Sequence, residues 1–527
     1  MAVSSGLERP PIPARPAWRW LRPALTFLGW SLLFGLAYAQ SPLYSSNQNQ
    51  YFLHGAARAV QGYLSQDWLA NTVDSVPVFS LLIELTYRYL DPFVFYLYYF
   101  VLFGIYLLAL FDIASHLFEI RRTATTRLVF LALMVVLHSA ALRLVSSRLL
   151  GAEWEYLFDG GVAGQRLLGP VFQPSCFGVL LLLSLDLFLR RHPYWAVAAA
   201  AAAATLHPTY LLGAAVLTLA YLFVTWREMR NLKNALALGM VALLLVLPIT
   251  VYVVLALGPT SAQVSREAQQ VLVEYRIPHH AIPSQWMDTT VLVKLVLVGA
   301  ALVLARRSRL FPILLLAFLG ALALTALQIL TGSLTLALLF PWRLSVILVP
   351  LATALLTAWL ATRSPSWLAR RGTGRLRWLE TLSLATVLVL GFAGIVRFKL
   401  ESDRNRADAA RPMMAFVQAT LAPGDVYLIP PKLQEFRLLT GAPIVVDFKS
   451  IPYRDVEVLE WYERARHADW FYRDRPEYVD CGLLEEMRQN YGVTHVVLGP
   501  YLLELVCPSL HEIYRDANYA VCTLVAP

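Results

Sequence analysis

A polytopic α-helical membrane protein with a small carboxy-terminal α/β domain is the fold class that this sequence predicts. Three observations predict it. Of 527 residues, 58% are hydrophobic and 15% charged, with mean hydropathy +0.55, whereas soluble chains carry nearer a quarter charged residues. Apolar runs near the ~20 residues that a bilayer requires recur along the first 396 positions. After about residue 397 the pattern changes to short β-branched runs alternating with helical spacing.

Eleven apolar stretches read as spans, at about 20–39, 92–118, 127–142, 176–190, 193–207, 209–226, 234–257, 289–305, 309–330, 340–361 and 378–396. The fifth, AVAAAAAAATLHP, is short enough to be a half-span. The loops RRTATTR, RRHP, REMRNLKN, ARRSR and TRSPSWLARRGTGRLR alternate with loops poor in Lys and Arg. Basic loops stay in the cytoplasm. The amino terminus is therefore expected inside, with residues 40–91, 143–175, 258–288, 331–339 and the tail outside. The amino-terminal segment ERPPIPARPAWRWLRP is basic and Pro-rich, and the apolar run after it is long enough to remain as a span.

The formal net charge of +9 is unevenly spread. Residues 397–527 hold 15 of the 44 basic and 19 of the 35 acidic residues, so the excess of positive charge belongs to the membrane half. That is the signature of cytoplasmic loop charge, and no Lys/Arg tract resembles a nucleic-acid patch. The division expected is a membrane domain at 1–396 and an extracytoplasmic α/β domain at 397–527. In the tail, DVYLIP, PIVVDF, THVVLGP and NYAVCTLVAP read as strands, and VEVLEWYERARHA and LLEEMRQNYG as helices. It carries no P-loop, dinucleotide fingerprint or nucleophile elbow. Of four cysteines, Cys176 lies in an apolar segment and Cys481, Cys507 and Cys522 in the tail. None forms a C-x-x-C pair; a single tail disulfide and three free thiols are both open.

The first outer loop is long for a connector, and long loops are often functional. As a helix, residues 47–64 place Asn47, Gln50, His54, Arg58 and Gln61 on one face and Leu53, Ala57, Val60 and Leu64 on the other. That pattern fits a helix lying on the outer membrane surface and ended by Gly62. The segment LSQDWLANTVDSVPVFSLL then runs into the next apolar stretch. A polar dyad, an amphipathic helix, GYLSQDW and a Pro-led apolar helix together resemble the first outer loop of the GT-C glycosyltransferases. The likeness is to the protein mannosyltransferase and aminoarabinose transferase branch, and it extends to uncharacterised bacterial membrane proteins of this type.

That resemblance implies a multi-pass enzyme of the bacterial inner membrane. It would transfer a sugar from a polyprenyl-phosphate donor to an acceptor at the outer face. Its partners would be membrane lipid and that donor, with no nucleic acid. Where the branch carries an acidic dyad, this chain has Asn49-Gln50, and amides orient substrates but cannot take a proton. The base is then expected at Asp67 or Asp74. Asn49, Gln50, His54 and Arg58 would bind substrate beside it. No Asp-x-Asp pair is present. No cofactor is evident, and although a divalent cation is conceivable, no clear ligand set exists for one.

A leaving phosphate needs a fixed cation, and the forked guanidinium of arginine suits it. Arg343, in FPWRLSV at the outer end of a span, is the candidate; snorkelling beside Trp342 is the plainer alternative. The loop 154–175 and its preceding residue bring Glu153, Glu155, Asp159, Arg166 and Gln173 near the membrane, of which Glu155 and Gln173 are taken as substrate-binding. His207, in TLHPTYLL, ends a short span just before the helix-breaking Pro208 and completes that set. Adjacent His279-His280 lack the spacing of a zinc pair. Asp447, Lys449, Tyr453, Arg454 and Asp455 crowd a strand-to-helix turn, which is either a docking face or a solvated turn. Two other classes stay open. A transporter would place acids near mid-bilayer, whereas Glu84, Asp112 and Asp186 fall near span ends. A non-catalytic scaffold would explain the amides at the dyad position.

Overall fold

A computed structural model describes residues 18–369, 373–473 and 481–525. The Pro-rich start of the chain and residues 370–372 of the last basic loop lie outside them. All eleven apolar stretches are helical. Among the described residues, six helices are long and apolar enough to cross a membrane, namely Val94–Leu117, Pro208–Met229, Leu232–Ala256, Leu310–Thr331, Leu334–Arg363 and Leu376–Arg406. Ala124–His138 and Ala140–Leu150 form a bent pair, a broken span or a re-entrant loop. Its 48° bend has a local cause. Ser139 adopts an extended conformation, and its side chain caps the second helix by accepting from the Leu142 amide. Pro174–Leu189, Pro193–Leu206 and Thr289–Ala305 are shorter apolar helices; Trp18–Tyr38 is a further helix of span length.

The span at Leu334–Arg363 is the axis of the bundle. Its apolar window is 83% buried, against 17–50% for the other spans. Its outer end, Pro341–Leu344, tightens to a 3₁₀ turn entered through Phe340 at φ 49°. A bulky aromatic residue in the left-handed region is strained. The turn carries Arg343 to Gln165 in the loop 143–175.

The helix expected over 47–64 is two short ones, Gln48–Tyr51 and Leu53–Arg58. Its apolar stripe does not face the membrane. Leu53, Ala57 and Leu64 are buried with Ala56 and Leu69 in a small core that Leu438 of the tail caps. Val60, at the end of the stripe, is exposed with φ 58°. The tail sits on this loop so closely that two glycine backbones touch. A Cβ on Gly62 (φ +53°) would meet the Gly441 carbonyl oxygen at 2.6 Å, and the Tyr63 amide donates to that oxygen at 2.8 Å.

The tail is an α/β unit. Strands β1 (Tyr427–Leu428), β2 (His495–Leu498), β3 (Leu510–Arg515) and β4 (Ala520–Leu524) form a sheet in the order β1-β2-β4-β3. β1 and β2 are parallel; the other pairs are antiparallel. The strand expected at PIVVDF reduces to one bridge between Tyr427 and Ile444, because Pro443 cannot donate to a ladder. Helices Asp455–Arg473 and Cys481–Tyr491 supply buried apolar residues to the domain core. The expected boundary at 396 falls inside a continuous helix, Thr373–Arg406, which leads from the bundle into the domain. Cys481 and Cys507 form a disulfide, and Cys176 and Cys522 are buried free thiols.

The domain is bound to the outer loops by directed contacts. The Val73 amide donates to the Glu457 carboxylate at 3.1 Å, and the Gly424 amide to Gln66 at 2.9 Å. Thr260 donates through its amide and its hydroxyl to Asp455, both at 2.7 Å. The first and third outer loops are thereby fixed against one surface of the tail.

Candidate functional site

Asp67 opens on the first of two very different arrangements. It is fully buried. Its Oδ1 accepts the amides of Leu69 at 2.9 Å and Ala70 at 3.3 Å. Its Oδ2 accepts Arg437 Nε at 2.8 Å and the Ile444 amide at 3.0 Å. Arg437, 2% exposed, donates through Nη1 to Asp447 at 2.6 Å, and Asp447 in turn accepts the Ser450 amide at 2.6 Å. Every lone-pair direction of Asp67 is occupied, so the expected base is instead one jaw of a clamp between the first loop and the tail. Asp74 has a local role as well. Its Oδ1 accepts the Val76 amide and the Ser80 hydroxyl, both at 3.0 Å. Its Oδ2 pairs with Arg58 at 2.6 Å. It ties down the start of the helix Pro77–Tyr89 and carries Arg58 with it. Neither residue has a free oxygen for a base.

The second arrangement gathers cations without carboxylates. Arg343 donates through Nη1 to Gln165 at 2.6 Å, and its Nη2 lies 2.9 Å from His207 Nε2. Its guanidinium lies 5.2 Å from the centre of the Tyr210 ring. The Tyr51 ring stands edge-on to His207 at 6.0 Å, and its hydroxyl is 3.5 Å from that of Tyr453. Gln50 donates to the same Tyr453 oxygen at 2.8 Å. From the third outer loop, Arg276 donates to the Lys449 carbonyl at 2.8 Å and lies against Phe448. Both Arg343 and Arg276 act electrostatically on Tyr51; Arg166 acts on Lys449 and on His280.

The charge balance here is the decisive feature. Among the described residues, none of Arg343, Arg276, Arg166 and Lys449 lies within ion-pair distance of a carboxylate. Burial, with Arg276 beside it, pushes the Lys449 ammonium down to about 8. Burial, then His279 and the Arg343 and Arg166 guanidiniums, pushes His280 down to about 3, so it is a neutral imidazole, bonded to the Ala163 carbonyl at 2.6 Å. The Nε groups of Arg343 and Arg276, His207 Nδ1, Thr209 Oγ1 and Trp342 Nε1 are buried with no hydrogen-bond partner. Orphaned donors are costly, and a concentration of them among unpaired cations is the imprint of an anion.

The loop that supplies Gln165 and Arg166 is held by its backbone. Thr353 donates to the Phe158 carbonyl at 2.7 Å and Lys294 to the Gly161 carbonyl at 2.9 Å. The Val162 amide donates to Ser345 Oγ at 2.7 Å. Three groups on spans thus fix the loop beside Arg343.

Of the residues singled out from sequence, Arg343, His207 and Gln50 meet in this cluster, with Arg166, Lys449, Tyr453 and His280 from neighbouring motifs. His54 sits behind it. It shares with Gln50, Tyr51 and Tyr453 a hollow of about 10 Å³, no more than one water's room. Its ring bonds to the Thr72 carbonyl at 3.2 Å, and burial lowers its basicity. Glu155 faces Arg143 at 4.0 Å. Gln173 Oε1 and both polar atoms of the Asn49 side chain are buried without partners; the Asn49 carbonyl accepts Ser450 Oγ at 3.4 Å. Arg276 and Tyr51 escaped the sequence reading. The signal for Arg276 was present, since the third outer loop is poor in basic residues and Arg276 interrupts an apolar stretch before its His pair.

Comparison with known proteins gives little more. A family model described as a domain of unknown function, DUF6798, matches residues 408–468, the part of the tail that includes Arg437, Asp447, Lys449 and Tyr453. No curated protein matches the chain. Among solved structures it is similar to ArnT from Cupriavidus metallidurans bound to undecaprenyl phosphate, at 15% identity and a TM-score of 0.45, over 98% of this chain and 100% of that one.

Proposed function

We propose that the chain is a GT-C-type membrane glycosyltransferase that takes a sugar from a polyprenyl-phosphate donor at the outer membrane face. The observation that carries the reading is the cluster of Arg343, Arg276, Arg166 and Lys449, none ion-paired with a described carboxylate, in which the buried Nε atoms of Arg343 and Arg276 have no partner. In this reaction the bond between the sugar and the phosphate oxygen breaks, and the oxygen leaves with the electron pair. The acceptor hydroxyl forms the new bond, and its proton passes to water. Charge develops on the phosphate, and preorganised guanidiniums stabilise it where it develops. Arg343 and Arg276 are the leaving-group cradle; Lys449 adds charge from the tail; Gln165 and His207 orient Arg343.

The sidedness has two supports. Arginine-rich loops alternate with poor ones, and the Cys481–Cys507 disulfide suits an oxidising compartment. Both support a reading in which the tail and the cluster lie outside the cytoplasm. One observation favours a second reading, a lipid-phosphate-binding scaffold. No described carboxylate is bonded to the cluster, so nothing there takes the acceptor's proton directly.

One experiment separates the two. In nanodiscs, fluorescent polyprenyl phosphate should bind the wild type, and Arg343→Ala should weaken it without aggregation. A polyprenyl-phosphate-linked sugar should then be consumed in the presence of cell-envelope acceptors, and Arg343→Ala should slow that turnover about a hundred- to a thousandfold. Binding without turnover assigns the scaffold. Full turnover by Arg343→Ala removes the proposed cradle.

A further inference from the structure

We infer that a membrane-facing groove at the arginine-rich end of the bundle is a binding site for an anionic glycerophospholipid. The inference is independent of sugar transfer. The groove has a volume of about 990 Å³ and lies between the helices Trp18–Tyr38, Val94–Leu117 and Ala124–His138. Its floor is set where two helices touch. Gly104 lies under Ser31 and Phe27, and a Cβ there would meet Ser31 Oγ at 1.9 Å and the Phe27 ring at 2.7 Å. Phe27, Trp30, Leu107, Leu108, Phe111 and Leu131 line the apolar length.

Its mouth is basic. The lining includes Arg22, Arg121, Arg127 and Arg190, and a single carboxylate, Asp112. Asp112, 3% exposed, is shared by Arg121 and Arg190, and Arg190 also pairs with Asp186 at 2.8 Å. Asp112 and Asp186 together hold and balance the Arg121 and Arg190 guanidiniums at the groove's end, so the surplus charge at the mouth is that of Arg127. Arg121 lies 5.3 Å from the Phe111 ring centre. Arg127 is exposed and enters no ion pair among the described residues.

The occupant must match an apolar channel that ends in surplus positive charge. An acyl chain fits the channel, and a headgroup phosphate fits the guanidiniums, which grip its oxygens in pairs. A zwitterionic headgroup would bring its ammonium against the same arginines. The chain's own amino-terminal residues are a poor rival, because Arg9 and Arg15 outnumber Glu8 and share the sign of the mouth.

The test is lipid retention by native mass spectrometry. The full chain is equilibrated in detergent micelles with equal phosphatidylglycerol and phosphatidylcholine. Wild type should retain phosphatidylglycerol preferentially. Arg127→Gln should lower that retention about fivefold, the worth of one arginine near an anionic surface. Leu108→Trp, which narrows the channel and leaves its charges, should lower retention of both lipids. Equal retention of the two lipids by wild type, or unchanged phosphatidylglycerol in both variants, overturns the inference. So does a gain of lipid on deleting residues 2–17, which would assign the groove to the amino-terminal segment.

Discussion

Two arginines of this chain, Arg437 buried and Arg343 half-buried, live under opposite rules. Arg437 has a carboxylate on each side, Asp67 at 2.8 Å and Asp447 at 2.6 Å, and its burial is complete. Arg343 has an amide and an imidazole for neighbours, a tyrosine ring beside it, other cations nearby and an Nε with no partner. The first arrangement satisfies itself. The second holds like charges together in a half-buried place, which folding alone would not favour. Where local rules are broken without local compensation, the compensation is expected from a ligand. On the proposed function, the contrast separates the residues that hold the molecule together from those that act.

The largest effect should come from the clamp. Arg437→Met strands two buried carboxylates and should cost about 3–5 kcal/mol, seen as a much lower unfolding temperature in detergent and early proteolysis of the tail. Arg343→Ala should not lower that temperature, because it removes one of several repelling cations, yet it should weaken binding of polyprenyl phosphate. If instead Arg343→Ala unfolds the protein and Arg437→Met leaves it stable, the contrast is inverted. Asp67→Asn is a sharper and smaller probe. Arg437 keeps Asp447, and the asparagine oxygen still accepts one amide, so a loss of about 1–3 kcal/mol is expected. Any effect of Asp67→Asn on turnover should then disappear at a temperature low enough to restore the fold. A catalytic loss that persists in a fully folded variant would return Asp67 to the role of base.

Much of this architecture was legible in the sequence because hydropathy is local. All eleven apolar runs are helices, and the 48° break at Ser139 needed only a cap. Arg343 and His207 were legible because a polar residue at a span end is conspicuous against its neighbours. The pairing of Asp67 was not legible, for the opposite reason. Its partner Arg437 lies 370 positions away, and nothing near Asp67 distinguishes a paired carboxylate from a free one. The same distance hid Arg276 and Lys449 as members of the site. The amphipathic pattern at 47–64 marked a face that is buried except at Val60, but periodicity does not say what buries it: the loop's own Leu69 and Trp68, Tyr87 of the next helix and Leu438 of the tail do.

The smallest effect, and the one that tests the site from the tail's side, is a pH dependence. Burial and the neighbouring Arg276 guanidinium press the Lys449 ammonium down to about 8, with Arg166 adding to them and Asp447 opposing. His279, whose own basicity is lowered by burial and by Arg276 and Lys449, is neutral throughout this range. A phosphodiester donor keeps its charge there too. Lys449 is therefore charged below about 7 and progressively neutral above 8, so donor affinity should be flat at lower pH and fall as pH rises through about 8. The loss should approach about tenfold, the worth of one charge-assisted hydrogen bond. Lys449→Arg keeps its charge and should flatten the profile, whereas Lys449→Met should bind weakly at every pH. A wild-type affinity that does not change between pH 7 and 9 would show that the tail's lysine never meets the anion, leaving the cradle to Arg343 and Arg276 alone.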